Sequence, residues 1–132
     1  MKKSQDNKTK KFFTYVQNKK FGDYYIPARF QYTILRDYYK KIKQNFILPQ
    51  GEPVFTKTGI RLRTIIDNLK MRDALVLLSI YMLPEDSRIR QEIYKKLLHK
   101  KIETHFIFEN IIAKNSNDFK KINNFYKLNK FR

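Results

Sequence analysis

The sequence has no cysteine and no tryptophan, and only three glycines and four prolines in 132 residues. Without cysteine there is no disulfide framework, no thiolate metal site and no cysteine nucleophile, which suits a reducing compartment. With only His99 and His105 as imidazoles, a histidine-rich metal site is not expected, nor is a cofactor. Gly22, Gly51 and Gly59 do not have the spacing of a phosphate-cradling loop or a dinucleotide fingerprint. Long apolar runs are missing too. The longest, residues 74–78, is far short of the ~20 residues that cross a bilayer. The start, "MKKSQDNKTKKFF", has no apolar stretch behind its lysines to act as a secretory signal. A cytoplasmic protein with no membrane span is the expectation.

Acidic residues are scarce: 12 against 29 Lys and Arg, a formal charge of +17. Residues 1–26 and 113–132 hold +5 each, and residues 27–112 hold +7. A field of this sign attracts nucleic acid, anionic lipid or phosphorylated small molecules. The compositional alternative is that solvated lysines simply keep the chain soluble. What is abundant is apolar and aromatic material, 42% and 15% of the residues, enough for one modest core.

The periodicity predicts strands alternating with helices. "FFTYVQ" (12–17), "NFILP" (45–49), "ALVLLSIY" (74–81) and residues 103–109 of "IETHFIFENII" are expected strands. Strand three is apolar on both faces, as a central parallel strand must be. Helices are expected over about 28–43, with Phe30, Ile34, Tyr38 and Ile42 inward, and about 59–70, with Leu62, Ile65, Ile66 and Leu69 inward. A third opens at Pro84, Glu85 and Asp86 and buries Ile89, Ile93, Leu97 and Leu98. A last one, capped by Ser116, buries Phe119, Ile122 and Tyr126. The fold class is α/β: a small three-layer sandwich with a four-stranded, mostly parallel sheet of resolvase or flavodoxin type. Residues 1–11 are expected as a basic flexible N-terminus and 12–132 as a single domain ending in a basic helix and tail.

In open parallel sheets ligands bind beyond the carboxyl ends of the strands. That rule selects Gln17 and Asn18, then Gln50, Gly51 and Glu52, then Ser79, Tyr81 and Met82, then Glu109 and Asn110, with Arg29 in the first turn of helix one. Glu52 and Glu109 are the candidate catalytic pair, since two carboxylates in different environments can divide acid and base work. Arg29, Ser79 and Tyr81 complete a candidate polar pocket. The bland alternatives are that Ser79 bonds a backbone carbonyl, that Arg36 and Asp37 form a surface pair, and that His105 is a satisfied imidazole within strand four.

The order of elements resembles the catalytic domain of serine recombinases over roughly residues 12–112, with "HFIFENI" at the fourth strand. Their chemistry is not carried over. Gln17 stands where the nucleophilic serine belongs, and "YMLPEDSR" brings Glu85 and Asp86 where arginines should hold phosphate. A nucleic-acid-binding protein of that ancestry, using basic termini and cleaving nothing, is one expectation. A second set of stretches, "FGDYYIPARFQYTILRDYY", "LPQGEPVF", "LVLLSIYMLPED", "IYKKLL" and "HFIFEN", resembles a small family of bacterial proteins encoded sporadically in polysaccharide-biosynthesis clusters. That resemblance covers about residues 21–110 and implies Gln31, Arg36, Asp37, Glu52, Ser79, His105 and Glu109 as positions to watch. It implies an accessory protein or small enzyme of surface-carbohydrate synthesis, whose partner is a sugar phosphate, a nucleotide-sugar or a pathway enzyme. A structural role, with self-association through an exposed edge strand or helix, is the third expectation.

Overall fold

Four consecutive apolar residues, Ala74 to Leu77, form the centre of the sheet and are all buried. The computed structural model describes residues 10–17, 25–46, 51–52 and 60–130, by backbone alone at 51, 52, 129 and 130. In chain order its elements are β1 (Phe12–Thr14), β2 (Val16–Gln17), α1 (Ala28–Lys41), β3 (Gly51–Glu52), α2 (Ile60–Asn68), β4 (Ala74–Leu77), α3 (Ser87–His99), β5 (Glu103–Phe106), β6 (Ile111–Ala113) and α4 (Ser116–Lys130). A short 3-10 turn, Ile80–Met82, separates β4 from α3.

β4 pairs in parallel with β1 on one side and β5 on the other, and β6 adds an antiparallel edge. This gives the expected four-stranded, mostly parallel α/β sheet, in the order β1, β4, β5, β6. β1 and β2 are one stretch interrupted only at Tyr15, whose amide still donates to the Val76 carbonyl at 3.1 Å. β2 then pairs in parallel with β3 in a separate two-stranded ladder.

Helices cover both faces. Register places Phe12, Thr14, Ala74, Val76, Glu103 and His105 on one face. α1 lies there: the Tyr39 hydroxyl bonds Thr14 Oγ1, and its ring meets Phe12 edge to face. The other helices pack in series. Lys96 of α3 bonds Asp67 of α2 at 2.8 Å, and the Tyr94 ring of α3 lies 5.1 Å from Phe119 of α4. Leu75, Leu77, Thr104 and Phe106 alternate away from α1 and are equally buried, which places the series on the second face.

Several boundaries differ from those read in the sequence. Gln44–Phe46 form no strand, residues 47–50 lie outside the described residues, and the ladder instead forms at Gly51–Glu52. Strand three stops at Leu77. Strand four stops at Phe106 and turns back through Asn110, whose φ of 57° makes the antiparallel return. Helix α3 starts later than expected: Asp86 is its cap, accepting from the Arg88 amide at 2.8 Å. In α4 Ser116 is already helical, and Asn115 caps by accepting from the Asp118 amide at 3.0 Å. The inward face of α1 is Gln31, Leu35 and Tyr39, one position on from the predicted stripe, with Phe30 51% exposed. Just before β1, the Lys11 carbonyl accepts from the Ala74 amide at 2.8 Å.

Candidate functional site

The turn after β4 is a knot of satisfied carbonyls. Four successive ones are each taken by a side chain from another element. Met82 O accepts from Gln17 Nε2 at 2.9 Å, and Leu83 O accepts from the Tyr126 hydroxyl at 3.2 Å. Pro84 O and Glu85 O accept from Arg90 Nη1 at 3.1 and 2.7 Å. Arg90 is 3% exposed; its other nitrogens reach Asn123 Oδ1, and its guanidinium lies 4.0 Å over the Tyr126 ring. A buried guanidinium is tolerated only when its fork is filled this way. Burial pushes the Tyr126 hydroxyl up to about 12, against the opposing pull of Arg90, so it stays a neutral donor.

Ser79 and Glu109 meet at the same edge. Ser79 Oγ donates to Glu109 Oε2 at 2.8 Å, and the Ile80 amide donates to Oε1 at 3.1 Å. Both carboxylate oxygens therefore clamp the start of the turn, and Ser79 Oγ accepts from the Tyr81 amide at 3.2 Å. The side chain of Glu52 lies outside the described residues, and its strand β3 pairs with β2 in a two-stranded ladder rather than with β4 or β5. Asn18 and Gln50 also lie outside the described residues.

Gln31, in the first turns of α1, ties the helix to the end of β2. Its Nε2 donates to Gln17 O at 2.5 Å and to Ile26 O at 2.7 Å. With both hydrogens used, its Oε1 is buried and without a partner among the described residues. Helix α1 begins beside it with Pro27 as a cap that offers no side-chain bond. Phe30 and Gln31 amides both go to Pro27 O, which leaves the Ala28 and Arg29 amides without a partner among the described residues.

The remaining expected residues are scattered. Arg29 is exposed at the start of α1, with its guanidinium 5.2 Å over Phe30. Arg36 covers the Phe46 ring at 5.6 Å, and Asp37 faces Lys41 at 3.9 Å on the outer face of α1. Tyr81 is half-buried against α4, its hydroxyl donating to Phe125 O at 3.4 Å. His105 is in mid-strand, remote from the rim, bonded through Nδ1 to the Tyr38 hydroxyl at 2.5 Å and through Nε2 to Glu103 at 3.2 Å. Burial holds its pKa below the usual value, partly offset by Glu103, so the neutral ring accepts from Tyr38 and donates to Glu103. For Glu103, burial is outweighed by hydrogen bonds from Lys10 and His105, and its pKa lies below the usual carboxylate value. This chain fastens α1 to the sheet. Among the described residues no three His, Asp or Glu side chains stand together as metal ligands would.

The opposite, amino edge gathers charge from segments distant in sequence. Lys10 and Lys11 precede β1, Lys70 and Arg72 precede β4, Lys100 and Lys101 precede β5, and Lys114 follows β6. Backbone bonds knit them: Ala74 N to Lys11 O at 2.8 Å, Arg72 N to Lys100 O at 2.8 Å, and Glu103 N to Asp73 O at 3.3 Å. Helix α1 also ends here, adding Lys40, Lys41 and Lys43. The acids at this edge are engaged: Asp67 pairs with Lys96 at 2.8 Å, and Asp118 accepts from the Lys114 amide at 2.9 Å. Asp73, 4% exposed, accepts from the Lys11 and Lys70 amides, and Glu103 pairs with Lys10 at 2.9 Å and Lys114 at 3.9 Å. Lys100 is structural, its Nζ donating to three carbonyls at the end of α2, at 2.7–3.0 Å. Lys11, Arg72 and Lys101 are exposed. Arg72 and Lys101 have φ of 67° and 56°, a conformation that glycine adopts freely and that costs other residues about 1 kcal/mol. The sequence reading missed this cluster because it exists only through topology.

No described helix is long and apolar enough to cross a membrane. A scan of protein-family models, a search of curated proteins and a search of solved structures each found no match, so neither likeness drawn from the sequence gains support from them.

Proposed function

We propose that the protein binds a polyanion, nucleic acid foremost, across the amino edge of its sheet. The observation that carries this reading is the convergence of Lys11, Arg72 and Lys101 on one exposed edge, with the neighbouring acids Asp73 and Glu103 already engaged. Cations at helix ends do offset the helix dipole, and Lys100 has that role. Arg72 and Lys101 occupy left-handed positions where glycine would be more stable, so their charge is retained at a local cost. The sequence preceding the edge adds Lys2, Lys3 and Lys8. Contacts of this kind go to phosphates and carry no sequence information, so no base preference is expected. Titration of duplex and single-stranded DNA at low and at physiological salt tests the reading. Affinity should fall steeply with salt, because each neutralised phosphate releases counterion; absent or salt-insensitive binding would remove the proposal.

A second reading, an accessory protein or small enzyme of surface-carbohydrate synthesis, is favoured by the buried Gln31 oxygen, without a partner among the described residues, in the first turns of α1. Melting-temperature shifts with sugar phosphates and nucleotide-sugars test it. A protein indifferent to all of them has no such role.

A further inference from the structure

We infer that the polyanion taken at the amino edge is single-stranded nucleic acid, with phosphates on Lys11, Arg72 and Lys101 and an unstacked base on the Phe13 ring beside Met71. The inference rests on the polyanion reading and deepens it by naming the form of the partner.

Exposed apolar side chains are set among the exposed cations of this edge. Phe13, 37% exposed, follows Lys11 in β1, and Met71, 55% exposed, directly precedes Arg72. The fold brings the two pairs together. Asp73 accepts from the Lys11 amide at 3.4 Å through one carboxylate oxygen and from the Lys70 amide at 2.9 Å through the other. Segments 11–13 and 70–72 therefore leave from the same carboxylate. The Arg72 amide donates to the Lys100 carbonyl at 2.8 Å, which ties Lys101 into the same edge. Register sets Phe13 level with Leu75, on the face opposite Phe12. The Phe12 ring is packed edge to face against Tyr39 and His105, whereas Phe13 keeps part of its ring in water.

That mixture sets the form of the ligand. A duplex holds its bases in the stack and offers this edge phosphates alone, so it pairs with the cations and leaves Phe13 and Met71 uncovered. A single strand offers phosphates and free base faces together. An aromatic ring stacks on any base, because every base has a π-face, and basic grooves with such rings hold single strands without reading sequence. The flexible thioether of Met71 adapts to the base or sugar alongside.

The chain has no tryptophan, so the Phe13→Trp variant carries one emission reporter at the ring itself. Its emission should be quenched by oligothymidylate and unchanged by duplex DNA or by vesicles of phosphatidylserine and phosphatidylcholine. Phe13→Leu keeps an apolar side chain and removes the ring. It should weaken oligothymidylate binding about fivefold or more, the worth of one stacked base, and leave duplex affinity unchanged. Equal affinity for both forms without quenching would overturn the inference and leave the polyanion reading standing. Absence of binding to either form would remove both. An equal loss of duplex affinity in Phe13→Leu would make Phe13 a structural residue and overturn the inference, as would an emission change with the vesicles alone.

Discussion

The two edges of the sheet are built on opposite principles. At the carboxyl edge polar groups are spent on one another: four carbonyls, a buried guanidinium, a serine and a carboxylate close a knot. At the amino edge, exposed Lys11, Arg72 and Lys101 point charge at solvent from turns whose backbones are tied but whose charged ends are not spent on the knot. One edge stores stability and the other stores potential. The lesson is that the polar residues most visible in a sequence can be structural, while charge that looks dispersed can be focused by topology.

Substitutions can separate these roles. The largest stability effect is expected at Arg90. Arg90→Met strips the Pro84 and Glu85 carbonyls and Asn123 of their donor and should cost about 3 kcal/mol in chemical denaturation, by the usual penalty for opening a buried charged network. DNA affinity per folded molecule should not change. A loss of affinity equal to the loss of stability would merge the two edges into one function. Ser79→Ala should follow, at about 1–2 kcal/mol, because it leaves Glu109 Oε2 without its donor.

The third effect is a pH dependence. The folded pKa of His105 lies below the ordinary histidine value of about 6.5, so the unfolded chain binds its proton first as pH falls. Its contribution to stability is full above about 6.5 and is lost as pH falls towards the folded value. Glu103, also lowered, contributes above the ordinary carboxylate value and loses that contribution as pH falls through its folded pKa. Denaturation midpoints measured between pH 8 and 5 should fall on acidification, and His105→Gln should flatten the upper part of that curve. An unchanged profile would mean that the Tyr38–His105–Glu103 chain does not fasten α1.

The smallest effect sharpens the contrast most. Lys101→Gly places glycine where φ is 56° and should raise stability by up to about 1 kcal/mol. The same change should reduce the salt slope of DNA binding by about 0.9, one phosphate contact. Stability and binding would then move in opposite directions at a single residue.

Much of the fold was legible in the sequence because its signals are local. "ALVLL" can only be a strand covered on both faces, and α2, α3 and α4 bury the residues their periodicity predicts, Leu62 and Ile66, Ile93 and Leu97, Phe119 and Ile122. α1 was misread by one position, since Phe30 scores as apolar whereas Gln31 is inside only because Ile26 and Gln17 supply acceptors. The β5–β6 hairpin was hidden for a similar reason: apolar residues continue on both sides of its turn, and only Asn110 marks the bend. The bond between Ser79 and Glu109, which makes them a clamp, is a tertiary fact that the sequence does not carry. Arg90 looked like any charged residue on a helix surface. The amino-edge cluster is spread over residues 10–11, 70–72, 100–101 and 114, and only strand order brings it together.

The most direct test of the central claim is the salt dependence of DNA binding by the variant carrying Lys11→Gln, Arg72→Gln and Lys101→Gln. Losing three phosphate contacts should lower the slope of log affinity against log salt by about 2.7, with the melting temperature little changed. A slope equal to that of the unaltered protein, at unaltered stability, would contradict it.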